Sequence, residues 1–151
     1  KDVRALQHVA ADAGAVVPVV DALIRSNEAH KYRIYQLVTA GLAPGARILI
    51  AGLAFKAGTD DLRESPNVDL ARALLRDGYS LSVYDPSVET DKLVGANLGY
   101  AHLQLPTLES LLIDRVTAEA GPFERVIVTN ATGRLLTLAP GLDVVDIGAL
   151  S

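Results

Sequence analysis

The chain has 151 residues, of which 14 are basic and 18 acidic, so its formal net charge is -4. This length suits one domain with a full core but not two large domains, and the acidic balance argues against a general nucleic-acid binder. Because cysteine is absent, these residues hold no disulfide, thiolate metal site or cysteine nucleophile. No apolar run approaches the ~20 residues that span a bilayer, and the three histidines are too widely spaced for a zinc site. We therefore expect no nucleic-acid, membrane or metal partner.

The first region, residues 1–43, has the pattern of helices. Apolar residues recur every three positions over Asp2–Ala13, which predicts a short amphipathic helix. Pro18 suits the first turn of a second helix, which is predicted to run to Ala40 and to end at Gly41. The stripe expected to be buried along this second helix comprises Val20, Leu23, Ile24, Ile34, Leu37 and Val38.

The middle of the second helix, Arg25–Lys31, is polar on almost every side. A long helix with apolar ends and a polar middle has two interpretations. One is a solvated segment between two packed ends. The other is a helix that crosses a domain or subunit boundary near a site.

The second region, residues 44–151, alternates strand and helix after the turn at Pro44-Gly45. Short apolar runs separated by helices predict the α/β class, with a Rossmann-like parallel-sheet domain preceded by the long helical segment. We predict strands over Arg47–Ala51, Leu81–Tyr84, Val126–Thr129 and Val144–Ile147. We predict helices from the Ser65 cap to Gly78, over Thr90–Leu98 and over Thr107–Arg115.

The connection after the first strand reads GLAFKAGTDDLRESP and covers Gly52–Pro66. Such connections usually take about 2–6 residues, whereas this one takes thirteen, from position 52 to position 64. It lies at the carboxyl end of a parallel strand, where α/β sheets bind ligands, and it leads into a helix N-terminus, which favours anions. Lys56 and Arg63 suit phosphate, and no GxGxxG fingerprint occurs, so we predict an anion site of another kind. The alternative is an inert surface loop whose charged residues solvate one another.

These fifteen residues, followed by a helix and by VYDP at Val83–Pro86, resemble the C-terminal domain of the UDP-glucose/GDP-mannose dehydrogenase family. The opening residues KDVRAL, Lys1–Leu6, resemble the segment just after the catalytic cysteine of that family. The resemblance implies an enzyme that oxidises the C6 alcohol of a nucleotide sugar to a carboxylate, using two NAD and a cysteine thioester. It also implies a cytoplasmic location and, by analogy, a role in supplying uronate for exopolysaccharide.

The resemblance also assigns roles to individual residues. It implies that Asp2 is catalytic, assisting proton transfer and water activation, and that Lys1 lies near the nicotinamide end of NAD. Arg63 is implied to reach the NAD pyrophosphate, and Phe55 and Lys56 are implied to contact the nucleotide sugar. The long second helix is implied to form much of a homodimer interface.

Several of these residues also have a plainer interpretation. Lys1 and Asp2 would form a solvated chain end, and Phe55 would be a core aromatic side chain. Asp85, which precedes a proline at the end of the second strand, would be a turn residue and not a site residue.

The resemblance favours GDP-mannose as the nucleotide sugar, because of the FKAGTDDLRESP motif, the LIRSN sequence at Leu23–Asn27 and the lack of an arginine directly after Asp146. The alternatives are a UDP-glucose or UDP-sugar 6-dehydrogenase and, from another class, a non-catalytic nucleotide-binding or dimerisation module. Lys1 and Ser151 resemble the cut ends of a longer protein. Since these residues contain neither an NAD-binding domain nor a catalytic cysteine, we expect them to be inactive on their own.

Overall fold

Four parallel strands form the sheet in the computed structural model, which describes residues 2–150. The strands are β1 (Arg47–Ala51), β2 (Ser80–Tyr84), β3 (Arg125–Val128) and β4 (Val144–Asp146), in the spatial order β2-β1-β3-β4. The predicted α/β class with a parallel sheet is confirmed, and each predicted strand is found with its ends displaced by one residue at most.

Apart from the arginine that begins each of them, the central strands β1 and β3 are apolar, because both faces of a central parallel strand are buried. Ile48, Leu49 and Ile50 of β1 have no solvent exposure. On one face, Leu49 belongs to a buried cluster with Tyr84 of β2 and with apolar residues of β3. The edge strand β4 differs: its first residue, Val144, is 42% exposed.

The strand order reverses next to β1. The chain passes from β1 to β2 on one side and later crosses to β3 on the other side of β1. Open α/β sheets bind ligands outside the carboxyl ends of the strands, at the point where the order reverses. In this sheet that point lies between the ends of β1 and β3, beyond Ala51 and Val128.

The helix between β1 and β2 has the predicted start. This helix, α3 (Pro66–Arg76), is capped by Ser65, whose side chain accepts a hydrogen bond from the backbone N–H of Asn67. Proline occupies the first helical position, where its missing N–H costs nothing. The helix buries Asn67, Val68, Leu70, Ala71 and Leu74.

The helices between β2 and β3 correct the prediction. They are α4 (Gly95–Gln104), α5 (Leu108–Leu111) and α6 (Arg115–Ala120), whereas we predicted helices over Thr90–Leu98 and Thr107–Arg115. The second predicted helix is interrupted because the backbone N–H of Ile113 donates to the carbonyl of Val83, 2.9 Å away in β2. The sheet edge therefore takes a hydrogen bond that a continuous helix would have used. Two short 3-10 segments, Ala131–Leu135 and Gly148–Leu150, were not predicted.

Two compact units divide the chain, one ending at Leu37 and the other starting at Val38. The predicted domain boundary between residues 43 and 44 stays a prediction. The first unit contains α1 (Asp2–Asp12) and most of α2 (Pro18–Thr39). No helix among residues 2–150 is long and apolar enough to cross a membrane.

The predicted buried stripe along α2 is only partly right. Val20 and Val38 are buried, but Leu23 is 52% exposed and Leu37 is 45% exposed. A helix buries its whole stripe only where a partner covers it. Within the first unit the eleven residues of α1 are the other helix, too short to cover the full length of α2.

The buried Arg125 joins three segments of the second unit. Its Nη1 donates to the carbonyls of Val38 and Ala40, at 2.8 and 3.0 Å, and its Nε and Nη2 donate to the carboxylate of Asp143. The two carbonyls lie at the end of α2, where the helical ladder leaves acceptors without a partner. Arg125 therefore fixes the last turn of α2 to β3 and to the residue that precedes β4.

Candidate functional site

The long loop after β1 begins at a glycine that no other residue can replace without strain. Gly52 has a φ of 105°, and a Cβ built on it would lie 2.4 Å from Oδ1 of Asn130 and 2.6 Å from Oγ1 of Thr129. The Thr129 hydroxyl donates to the carbonyls of Ala51, at 3.1 Å, and of Gly52. The ends of β1 and β3 are thus held together by side chains at the point where the strand order reverses.

Asp85 fixes the next two residues of the loop. The side chain is buried, and its Oδ2 accepts the backbone N–H groups of Leu53 and Ala54, at 2.8 and 3.0 Å. Dinucleotide-binding Rossmann domains use an acidic residue in this part of the fold to hold a ribose. Here one carboxylate oxygen holds the loop and the other accepts the N–H of Ser87, which supports the plainer interpretation of Asp85.

The start of α3 fixes the same two loop residues from the other side. The Ser65 hydroxyl donates to the carbonyl of Leu53 at 2.8 Å, and the Asn67 amide donates to the carbonyl of Ala54 at 3.2 Å. Asn67, Thr129 and Asn130 were not predicted as site residues, since these contacts join segments distant in the sequence. Wherever the structure describes the side chain, no buried side-chain nitrogen or oxygen lacks a hydrogen-bond partner.

One part of the predicted anion site is wrong. We expected the N-terminus of α3 to offer free N–H groups, but Ser65 accepts the N–H of Asn67 and its carbonyl accepts that of Val68. Pro66 has no N–H to offer. The helix start is therefore saturated by its own cap, and an anion at this loop cannot rely on those N–H groups.

The outer part of the loop carries Phe55 and Lys56 on the surface. The N–H of Phe55 donates to the carbonyl of Asp61 at 2.9 Å, which closes this part of the loop on itself. Phe55 is 52% exposed, so its interpretation as a core aromatic is wrong. Lys56 is exposed, and within the described chain it forms no ion pair. An aromatic ring and an ammonium group thus stand side by side in solvent.

Arg63 behaves differently from Lys56. Its Nε and Nη2 donate to the two carboxylate oxygens of Asp61, at 2.8 and 3.1 Å. The hydrogen bond that Arg63 donates to Asp61, followed by the negative charge of Asp61, raises the pKa of the Arg63 guanidinium. Both side chains are about two-fifths exposed. The predicted contact of Arg63 with a pyrophosphate stays a prediction; Asp61 occupies the Nε and Nη2 side of the guanidinium, and the Nη1 of Arg63 takes no part in this pair.

Asn97, in α4, holds the far side of the loop. Its Oδ1 accepts the N–H of Leu62 at 3.0 Å, and its Nδ2 donates to the carbonyl of Asp60 at 2.8 Å. The Leu62 side chain has no solvent exposure. We did not identify Asn97 from the sequence, because a polar residue on a helix carries no sign of a distant partner.

The remaining predicted site residues lie at the start of the chain. Lys1 lies outside the described residues. Asp2 begins α1, but its side chain is also outside what the structure describes. The roles predicted for both stay predictions. Among the side chains that the structure describes, no three His, Asp or Glu residues are grouped as a metal site would require.

The parallel sheet, the reversal of strand order beside β1 and the fixed loop at that point define a Rossmann-like α/β domain. The family model for the UDP-glucose/GDP-mannose dehydrogenase family, UDP binding domain, matches residues 49–120, which include the loop, Asp85 and Asn97. The chain belongs to the UDP-glucose/GDP-mannose dehydrogenase family, as its resemblance implied.

The individual relatives agree with the family. The GDP-mannose 6-dehydrogenase of Pseudomonas putida is 36% identical over 97% of this chain and 34% of its own length. A crystal structure of a ternary complex of GDP-mannose dehydrogenase from Pseudomonas aeruginosa matches with a TM-score of 0.76 and 34% identity, over 96% of this chain and 34% of that one. The UDP-glucose dehydrogenase of Pyrobaculum islandicum matches with a TM-score of 0.72 and 29% identity, over 96% and 32%. The chain spans about a third of the length of these relatives.

Proposed function

We propose that these residues form the nucleotide-sugar-binding part of an NAD-dependent nucleotide-sugar 6-dehydrogenase, with GDP-mannose as the sugar nucleotide. The observation that carries the proposal is the exposed pair Phe55 and Lys56 on a loop whose base is fixed to the sheet. This loop lies where α/β sheets bind ligands.

The chemistry of the pair suits a nucleotide sugar. The Lys56 ammonium has no carboxylate partner within the described chain, so it can meet a phosphate without first breaking an ion pair. The neighbouring ring of Phe55 offers a flat apolar surface to a sugar or base. Because the base of the loop is fixed before the ligand arrives, little ordering entropy is lost on binding.

The proposed reaction converts the C6 alcohol of the sugar into a carboxylate. It consumes two NAD and one water, and it yields two NADH with the release of protons. NAD supplies the hydride acceptor when bound. Arg63 is the described residue that we propose to contact NAD, and here its guanidinium pairs with Asp61. We therefore assign no NAD-dependent step to this chain, and the roles of Lys1, Asp2 and Arg63 remain part of the proposal.

A titration of the chain with GDP-mannose tests the site. We expect Lys56→Ala to weaken the affinity about tenfold, the value of one charge-assisted hydrogen bond at its lower end. The control is Lys92→Ala, which removes the same charge from an exposed lysine that is paired with Glu89. An unchanged affinity of the Lys56→Ala variant would overturn the assignment of this loop as the binding site.

The same titration distinguishes the two sugar nucleotides. GDP-mannose should bind more tightly than UDP-glucose, and the reverse order would favour the UDP-sugar alternative. Mixing the chain with GDP-mannose and NAD should yield no NADH, because these residues contain no cysteine thiolate to form the thioester. Clear NADH production would contradict that part of the proposal.

We also propose that α2 mediates a homodimer. Four large apolar or aromatic side chains on this helix are exposed: Val19, Leu23, Tyr32 and Leu37. Val19, Leu23 and Leu37 recur at helical spacing on one side of α2, and exposed apolar surface of this kind marks interaction sites. Light scattering should give twice the 15.9 kDa mass of the chain, and a monomer at high concentration would count against the dimer.

A further inference from the structure

We infer that Asn97 is a positioning residue for the nucleotide-binding loop: its side-chain amide holds the segment that carries Phe55 and Lys56. The inference rests on the proposed function for the identity of the ligand, but not for the contact itself. Asn97 forms two hydrogen bonds to the loop, one to the N–H of Leu62 and one to the carbonyl of Asp60.

The two ends of the loop are fixed by different elements. Asp85, at the end of β2, and Asn67, in α3, hold the start of the loop at Ala54. Asn97, in α4, holds the return of the loop at Asp60 and Leu62. The exposed segment 55–59 lies between these two anchors, so its position depends on both.

An amide is the side chain that this contact requires. Leu62 presents an N–H and needs an acceptor, whereas Asp60 presents a carbonyl and needs a donor. Asparagine provides both from one planar group. An aspartate in the same place would keep the acceptor, lose the donor and set a negative charge against the Asp60 carbonyl.

The position of Asn97 in its helix supports the same conclusion. Asparagine is a poor helix former that favours caps and turns. Here it lies in the first turn of α4, yet the residue in the cap position, Val94, makes no side-chain cap hydrogen bond. The Asn97 amide contacts the loop instead of stabilising its own helix.

Tyr100 lies one helical turn after Asn97 in α4, beside Glu64 at the end of the loop. Partial burial raises the pKa of the Tyr100 hydroxyl, and the carboxylates of Asp69 and Glu64 raise it further. The same face of α4 therefore lies beside both the return of the loop and the residue that joins the loop to the α3 cap.

Proteolysis by endoproteinase Lys-C tests the contact without any ligand. This protease cleaves after lysine. The chain has four lysines, and one of them is Lys56. We expect Asn97→Ala to accelerate cleavage after Lys56 about 10- to 30-fold, because local opening no longer breaks two hydrogen bonds. Cleavage after Lys31, inside α2, should not change.

The variants include a graded change and a matched control. Asn97→Asp keeps the bond from Leu62, so cleavage should lie between the wild-type rate and that of Asn97→Ala. Gln104→Ala removes an amide from the last turn of the same helix and should cleave like the wild type. Unchanged cleavage after Lys56 in Asn97→Ala would overturn the inference. An equal rise at Lys31 would overturn it too, since Asn97 would then stabilise the whole fold and not this loop.

The affinity for GDP-mannose tests whether the Asn97 contact affects ligand binding. Asn97→Ala should weaken binding roughly 3- to 10-fold, because the loop must be ordered when the ligand binds. In the Lys56→Ala background, the same substitution should have little further effect, since residues that act through one another are not additive. Full additivity would contradict the positioning role. If Lys56→Ala itself changes nothing, the proposed function fails, and the Lys-C rates still decide whether Asn97 holds the loop.

Discussion

The two halves of the loop after β1 are built in opposite ways. The inner half, residues 52–54, is buried, and its backbone groups are bound by side chains from β2, α3 and the end of β3. The outer half, residues 55–63, is mostly exposed and includes Phe55, Lys56 and Arg63. The two parts of the connection therefore differ in role: the inner half is fixed to the sheet, and the outer half exposes the side chains that we propose to bind the ligand. Substitutions in the inner half should therefore affect stability first, and those in the outer half binding first.

The largest loss of stability is expected at Gly52, the position in the inner half where no side chain fits. Gly52→Ala places a Cβ at a φ of 105° and within 2.4 Å of Asn130. We expect it to lower the free energy of unfolding by about 3–5 kcal/mol, combining the strain of a positive φ with overpacking. Urea denaturation measures this directly.

The outer half provides the control for Gly52. Gly58 also has a positive φ, 75°, but a Cβ there would meet no atom within 4 Å. Gly58→Ala should therefore cost about 1 kcal/mol, from backbone strain without a clash. Equal losses at both glycines would abolish the contrast between the two halves.

A smaller loss is expected from Asp85→Ala. The substitution leaves the buried N–H groups of Leu53 and Ala54 without their acceptor, which should cost about 2–3 kcal/mol. Thermal unfolding should show the loss, whereas Asp91→Ala, at an exposed carboxylate, should change little. A stability equal to wild type would mean that Asp85 does not hold the loop.

The smallest change in stability is expected at Glu64, which joins the outer half to the α3 cap. Here the change is a gain and not a loss. Glu64 has a φ of 58°, a conformation that glycine adopts without strain. Glu64→Gly should raise the free energy of unfolding by up to about 1 kcal/mol. The same denaturation experiment measures it, and a clear loss of stability would show that the Glu64 side chain matters more than its backbone.

The sequence was sufficient to predict the elements with strong local patterns. The apolar runs RILIA and VIVT predicted the central strands, and Ser65-Pro66 predicted the start of α3 through its cap. The exceptional length of the connection, together with Lys56, identified the candidate site. Each of these features is encoded within about a dozen consecutive residues.

What the sequence did not predict depends on distant partners. The predicted helix over Thr107–Arg115 was wrong because Ile113 bonds to β2, and the α3 terminus was saturated by its own cap. Asn97 and Thr129 contact loop residues that are 35 and 77 positions away from them in the sequence. No local period signals such pairs, because they form only once the sheet has brought its ends together.

The hydrogen bond between Phe55 and Asp61 has an evolutionary consequence. It closes residues 55–61 into a small ring whose ends meet, and Asn97 contacts this ring at the carbonyl of Asp60. A segment of this kind can be exchanged as a unit, because new lengths and compositions need only restore the closing bond and the contact with Asn97. Enzymes with this framework could thereby diverge in the nucleotide they accept without any redesign of their core.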